Sequence, residues 1–299
     1  MLVLTYEQVR AALDVDLLLE RLERAFVELS AGRASVPPRT AAFSEHGLLG
    51  AMPGYVDGVL AAKLVTLFPG HEPSHQALIA VFDAKTGSPL AVMDGTHITA
   101  VRTGASSAVA TRALAREDAR VLAVIGAGVQ GRSHLDAVRR VRDFAEVRVT
   151  SRDAAHAQAL AGEVGATAVG SFEEAVRGAD VVCACTSSAE PVIWRDWLDP
   201  GTHVTSVGSS MEGPELDRET ITAGLLVIES RVAFQPPPAG SHELQGLDPE
   251  DAVELGEVLA GSHPGRSSAD QITVYKSMGH AVEDAAAAAL VLELSSSGS

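Results

Sequence analysis

A lysine stands in the middle of an apolar, strand-like run: Lys63 in VLAAKLVTLFP, residues 59–69, in a chain that has three lysines in all, Lys63, Lys85 and Lys276. Alternation along a strand puts Lys63 on the same side as Ala61, Val65 and Leu67, the apolar side. A buried ammonium is costly unless an anion meets it, and burial lowers its pKa toward values useful for acid–base work. Either a carboxylate elsewhere in the fold neutralises it or a ligand does. Two more cations share this part of the chain, Arg39 in PPRT and Arg102 in ITAVRTGASSA. Each alone reads as a surface or paired charge. Together, in a strongly acidic and lysine-poor chain, they suit capture of a carboxylate, arginine by bidentate contact and lysine as a point charge. The expectation is that a ligand brings the negative charge that Lys63 needs.

A second constellation follows the apolar run Val121 to Ile125. Gly126-Ala127-Gly128-Val129-Gln130-Gly131 satisfies G-x-G-x-x-G ahead of a helical segment. The first glycine permits a tight turn, the second lets a pyrophosphate approach the backbone, and the third allows close helix packing, with phosphate at the helix N-terminus. The expected ligand is a dinucleotide. The next strand, EVRVT, runs into Ser151-Arg152-Asp153. Serine and arginine suit a 2′-phosphate and favour NADPH, whereas Asp153 keeps NADH possible should the strand end later.

His71-Glu72-Pro73-Ser74-His75 matches H-E-x-x-H, a zinc pattern whose chemistry needs both histidines on one helical face. Pro69, Gly70 and Pro73 argue against that helix, so no metal is expected. His75 reads as a loop or strand-entry residue, near the site or structural. Cys183 and Cys185 in ADVVCACTS read as small core residues.

These residues need two kinds of scaffold. Thr5-x-x-Gln8 resembles a capping box, and Leu18, Leu19, Leu22, Phe26 and Leu29 form a helical stripe ending at Gly32. Residues 36 to 95 are short apolar runs broken by Pro, Gly and Asp, with KTGSP as a hairpin-like turn, and read as a mostly antiparallel sheet. Thr96 to Leu114 has helical spacing. From Ala119, about six β-runs alternate with helical segments up to residue 230, the pattern of a doubly wound parallel sheet. The tail from Gln271 to Leu294 is alanine-rich, helical in spacing, and expected to pack back on the first domain. The fold class is therefore α/β, a Rossmann-type doubly wound parallel sheet plus a smaller α+β domain, with boundaries at 1–115 plus 277–299 and at 116–276.

The bulk numbers bound the rest. With 299 residues, 46% of them hydrophobic, and 39 acidic against 23 basic side chains for a net charge of −16, the chain can bury a large core and has no general attraction for nucleic acid or anionic membrane. No run of about 18 apolar residues appears, and acidic residues come too early for a signal peptide, so a cytoplasmic protein is expected.

With those residues in place, the sequence resembles the ornithine cyclodeaminase/mu-crystallin family over nearly its whole length. The match rests on PPR at 37–39, MP at 52–53, AAKLVT at 61–66, PSHQA at 73–77, LAVMDGTHITAVRTGASSA at 90–108, IGAGVQ at 125–130, GADVV at 178–182, ELGEV at 254–258 and TVYKSMGHAVED at 273–284. The resemblance implies a homodimer whose first domain supplies the dimer interface and substrate pocket. It implies Arg39, Lys63 and Arg102 as catalytic and substrate-carboxylate residues, with His75 and Ser210 also at the substrate. Thr103, Gly126, Gly128, Val129, Gln130, Ser151, Arg152, Ser277 and Gly279 would serve the cofactor. Two positions depart from the cyclodeaminases: Val207-Gly208-Ser209-Ser210 has serine where they carry an aspartate, and their glutamate before the MP pair is replaced around Gly50. Cyclisation of a diamino acid then lacks its base. Ser210 and the Ser-Arg strand end instead resemble the NADPH-using ketimine reductase branch. The expected activity is reduction of cyclic ketimine carboxylates; the alternatives are an alanine-type dehydrogenase, an ornithine cyclodeaminase and a non-catalytic NADPH-dependent binder.

Overall fold

The chain begins with β1 (Leu2–Leu4) and α1 (Tyr6–Ala12), then α2 (Val15–Ser30), whose stripe of Leu18, Leu19, Leu22 and Phe26 is buried. The computed structural model describes residues 1–71, 73–208 and 213–297. Its backbone divides into two units, Met1–Arg102 with Gly279–Ser299, and Thr103–Met278.

In the first unit, β2 (Thr40–Phe43), β3 (Leu48–Val56), β4 (Val59–Leu67), β5 (His75–Asp83) and β6 (Pro89–Asp94) join β1 in one sheet of order β1-β6-β5-β4-β3-β2. All its pairings are antiparallel except β1 with β6. The KTGSP turn between β5 and β6 is pinned by the Asp83 carboxylate, which accepts from Lys85 N and Thr86 N at 2.8 Å. Helix α3 (Thr96–Leu114) follows, and the unit boundary falls inside it. Alternation along β3 and β4 buries Gly50, Met52, Gly54, Ala61 and Lys63 on one face and leaves Leu49, Tyr55, Leu60 and Leu64 exposed on the other.

The second unit runs β7 (Val121–Ile125), α4 (Val129–Val138), β8 (Glu146–Thr150), α5 (Ala154–Val164), β9 (Thr167–Ala168), α6 (Phe172–Val176), β10 (Val181–Ala184), β11 (His203–Ser206), α7 (Arg218–Thr222), β12 (Leu225–Ile228), β13 (Ala252–Glu254), α8 (Leu255–Leu259) and β14 (Thr273–Lys276). Its strands are parallel in the order β13-β12-β14-β11-β10-β7-β8-β9. Such a sheet is covered on both faces, so its strands are continuously apolar. Val182, Cys183, Ala184, Val204 and Val274 accordingly have no accessible surface. The strand order reverses between β7 and β10, the switch point where doubly wound sheets bind ligands.

One sequence expectation is corrected. Gln271 to Leu294 is not helical throughout: Thr273-Val274-Tyr275-Lys276 is β14, fully buried between β11 and β12, and the helix α9 (Ala281–Ser297) begins later. Thr, Val and Tyr favour a pleated, two-sided buried position, and tertiary pairing overrides the alanine-rich context beside them. Strand β13 was likewise not foreseen, being three residues long. Within the first unit, α9 packs on α2 and on β3, β4 and β5.

Candidate active site

Lys63 lies midway along β4, opposite Met52 on β3 and Ile79 on β5, with 2% of its surface exposed. Its partner is a protein carboxylate. Lys63 Nζ donates to Asp284 Oδ1 at 2.9 Å and stands 2.8 Å from Oδ2. Arg102 Nε donates to the same Oδ1 at 3.1 Å, and Arg102 NH1 donates to Glu283 Oε2 at 2.7 Å. Glu283 Oε1 accepts from His280 N at 2.8 Å, which ties the cluster to the start of α9. Arg39 NH2 donates to the Gly279 carbonyl at 2.6 Å. Gly279 has a φ of +71°, and a Cβ there would collide with the Arg102 guanidinium.

The expectation that a ligand alone neutralises Lys63 is therefore corrected, because Asp284 already does so. Three cations, Arg39, Lys63 and Arg102, face two carboxylates, Glu283 and Asp284, which leaves one net positive charge among these five side chains. That is the charge one incoming carboxylate cancels. Burial drives the Lys63 pKa down to about 8; Asp284 raises it, and Arg102 and Arg39 lower it. Burial pushes Asp284 up, but the charges of Lys63 and Arg102 outweigh it, and the group sits below its ordinary value. His75 opens β5 with Nδ1 3.0 Å from Ser74 Oγ, and desolvation followed by the Lys63 charge holds its imidazole below the usual pKa. His71 lies in a turn and His75 on a strand, so H-E-x-x-H does not form a two-histidine helical face here.

In the second unit, sheet register gathers the cofactor candidates. Ile125, Thr150, Ala184, Ser206 and Lys276 stand in one row, so the segments leaving them, starting at Gly126, Ser151, Cys185, Val207 and Ser277, share the carboxyl edge of the sheet. Gly126 turns there with a φ of +110°, where a Cβ would meet the Cys185 carbonyl. A Cβ on Gly131 would strike the Gly126 carbonyl, while a Cβ on Gly128, the N-cap of α4, would meet nothing within 4 Å. The loop thus has the close packing and the open approach that a pyrophosphate needs. Gln130 Oε1 is buried without a hydrogen bond among the described residues, and Val129 is 63% exposed beside it. His134 steadies this turn. Burial lowers its pKa to about 4, so its neutral ring donates from Nδ1 to the Gln130 carbonyl at 2.7 Å and accepts at Nε2 from Ser107 Oγ at 2.9 Å.

At the end of β8, Ser151 is half-buried and Arg152 exposed, while Asp153 is used as the N-cap of α5, accepting from Ala155 N at 2.9 Å. Ser277 Oγ donates to Glu229 Oε1 at 2.5 Å and Thr103 is buried in α3. Ser210 lies outside the described residues. The structure brings Arg39, Lys63, His75, Arg102 and Gly279 together in the first unit, and places Thr103, Gly126, Gly128, Val129, Gln130, Ser151, Arg152 and Ser277 in the second.

Sequence reasoning missed Glu283 and Asp284. The signal was present, since two acidic residues interrupt the apolar stretch AVEDAAAAALVL and a helix buried on all sides does not carry charges without partners. It missed Lys276 too, whose buried Nζ donates to Ser206 Oγ at 3.0 Å and the Gly208 carbonyl at 2.7 Å and pairs with Glu243 at 3.2 Å, fixing the segment that leaves β11.

The model of the ornithine cyclodeaminase/mu-crystallin family matches residues 1–299. The chain belongs to that family. Mouse ketimine reductase mu-crystallin is 40% identical over 296 residues, covering 94% of this chain and 93% of the relative. A solved structure of Thermococcus litoralis Delta(1)-pyrroline-2-carboxylate reductase in complex with NADH and L-proline is 36% identical with a TM-score of 0.93, covering 100% of this chain and 98% of that one. An archaeal alanine dehydrogenase dimer with bound NAD is 34% identical with a TM-score of 0.90, covering 100% and 97%. The family resemblance drawn from the motifs and the Rossmann-type fold class both hold.

Proposed function

We propose that this family member reduces the C=N bond of cyclic ketimine carboxylates, of the pyrroline-2-carboxylate or piperideine-2-carboxylate type, to the cyclic imino acids. The chain is an NAD(P)-dependent oxidoreductase acting on carbon–nitrogen bonds. The observation that carries the narrower reading is the cluster of half-buried Arg39 with buried Lys63 and Arg102, whose single net positive charge over Glu283 and Asp284 suits one carboxylate. The relatives named for ketimine and pyrroline-2-carboxylate reduction support it. The glutamate that the resemblance places before the MP pair in cyclodeaminases is replaced around Gly50, which lies on the same buried face as Lys63 with Val65 3.3 Å from where a Cβ would stand, so this position offers no acid to anchor a second amine.

The bound nicotinamide supplies the hydride. The residues of the glycine turn would hold its pyrophosphate, and Ser151 and Arg152 a 2′-phosphate, because Asp153 is already committed to capping α5. This favours NADPH, with NADH accepted. Arg39 and Arg102 orient the substrate carboxylate, and Lys63 holds a proton at Nζ for the imine nitrogen.

The working protein is a homodimer on this reading. Leu49, Leu60, Leu64, Leu78 and Tyr55 expose between 37% and 54% of their surface on one face of the first-unit sheet, an apolar patch that suits a second copy. Oxidation of NADPH by purified protein, followed by absorbance, tests the substrate. Faster turnover per unit concentration with pyrroline-2-carboxylate than with pyruvate plus ammonia supports the proposal. The reverse ranking moves the assignment to an amino-acid dehydrogenase. Release of ammonia and proline from ornithine makes it a cyclodeaminase, and tight NADPH binding without turnover makes it a binder.

A further inference from the structure

We propose that Asp284 is the positioning residue of the reaction, fixing the Lys63 ammonium in place and retaining its proton until the imine nitrogen takes it. The inference rests on the ketimine-reductase reading and adds to it a residue that touches neither substrate nor hydride. Four observations carry it. Asp284 meets Lys63 Nζ with both carboxylate oxygens, at 2.9 and 2.8 Å. The same carboxylate accepts from Arg102 Nε, so its plane is set from a second direction. It belongs to the first turn of α9, where the helix dipole favours a negative charge, and its neighbour Glu283 closes that turn on His280 N. Both partners are 2% exposed, so water does not compete for the contact.

The charged groups acting on Lys63 are Asp284 on α9, Arg102 on α3 and Arg39 ahead of β2, and the titratable His75 on β5 feels the Lys63 charge in turn. Of these, Asp284 alone favours the protonated amine, while Arg102 and Arg39 disfavour it. In the proton step, one Lys63 N–H bond breaks and an N–H bond to the imine nitrogen forms. The electron pair arriving as hydride reduces the carbon, C=N becomes CH–NH, and the nicotinamide is oxidised. The neutral Lys63 amine then regains its proton from solvent. With the Lys63 pKa at about 8, the proton is held below that pH and lost above it, so kcat/KM for reduction is expected to be level below pH 8 and to fall as pH rises through it.

The test uses full-length protein labelled with [13Cε]lysine. Three lysines give three resonances, and Lys85→Arg assigns the exposed one. Wild type should show a lysine titrating near 8 that coincides with the alkaline limb of kcat/KM. Asp284→Asn should move both to lower pH by about one unit or more, and Asp284→Glu should return them toward wild type. NADPH binding measured on each variant reports that the protein is folded. A Lys63 that titrates at the ordinary lysine value in wild type, or a limb that Asp284→Asn leaves in place, overturns the inference. If the Lys63 resonance shifts as expected while no imine is reduced, the pairing stands and it is the ketimine-reductase reading that fails.

Discussion

Arg102 uses two of its nitrogens on two different carboxylates, NH1 on Glu283 and Nε on Asp284. A lysine in its place has one charged nitrogen and no fork, so Arg102→Lys cannot reproduce both contacts and loses the fixed orientation of the guanidinium. A charge-assisted hydrogen bond contributes about 1.5–3 kcal/mol, so KM for the imine acid should rise roughly 10- to 100-fold while NADPH affinity stays unchanged, as steady-state kinetics and a cofactor titration would show. At the other end of the reaction, Arg152→Ser removes the cation proposed for the 2′-phosphate. The ratio of kcat/KM for NADPH over NADH should fall by about 10-fold or more, and a ratio that does not move assigns the discrimination elsewhere. Lys63 stood out in the sequence because the chain has three lysines in all and this one sits in an apolar run, and Arg39 and Arg102 were picked out beside it by the family motifs. Their counter-charges were not. Asp284 lies 221 residues beyond Lys63, and nothing in local spacing says that the two will face each other.

At the scale of elements, β7 and α4 meet through a turn that tolerates no side chain at Gly131, where a Cβ would strike the Gly126 carbonyl. Gly131→Ala should therefore lose NADPH binding by about 10-fold or more, seen in a fluorescence titration, with Tm lowered as α4 is pushed from its seat. Gly128→Ala meets no neighbour, so its effect should fall on cofactor affinity with little change in Tm. Most of the parallel sheet could be read from alternating β-runs and glycine turns. Strand β14 could not, because TVYK is four residues long and adjoins an alanine-rich helix; its central place between β11 and β12 is fixed by parallel pairing with both. The H-E-x-x-H segment does not place its two histidines on one helix, since proline and glycine punctuate it and His75 enters a strand.

For the whole molecule, the exposed apolar face of the first-unit sheet sets the proposed assembly. Leu64 and Leu78 are cross-strand partners at its centre, 44% and 54% exposed. Leu64→Glu with Leu78→Glu should convert a dimer to a monomer in sedimentation while the far-ultraviolet dichroism is kept; a wild type that already sediments as a monomer removes the dimer from the proposal. A net charge of −16 makes such self-association depend on this uncharged face, and added salt should strengthen it by screening the repulsion.

Finally, the first unit is sewn from two stretches of sequence, Met1–Arg102 and the segment from Gly279 onward, with the entire nucleotide-type sheet encoded between them. During synthesis the ribosome releases Lys63 and Arg102 long before Glu283 and Asp284 exist to meet them. Until that moment the pairs that Lys63 and Arg102 make with Asp284 and Glu283 cannot form. The second unit, being continuous in sequence, is free to mature first. The buried ion pairs of the first unit are thus among the last contacts that synthesis makes possible.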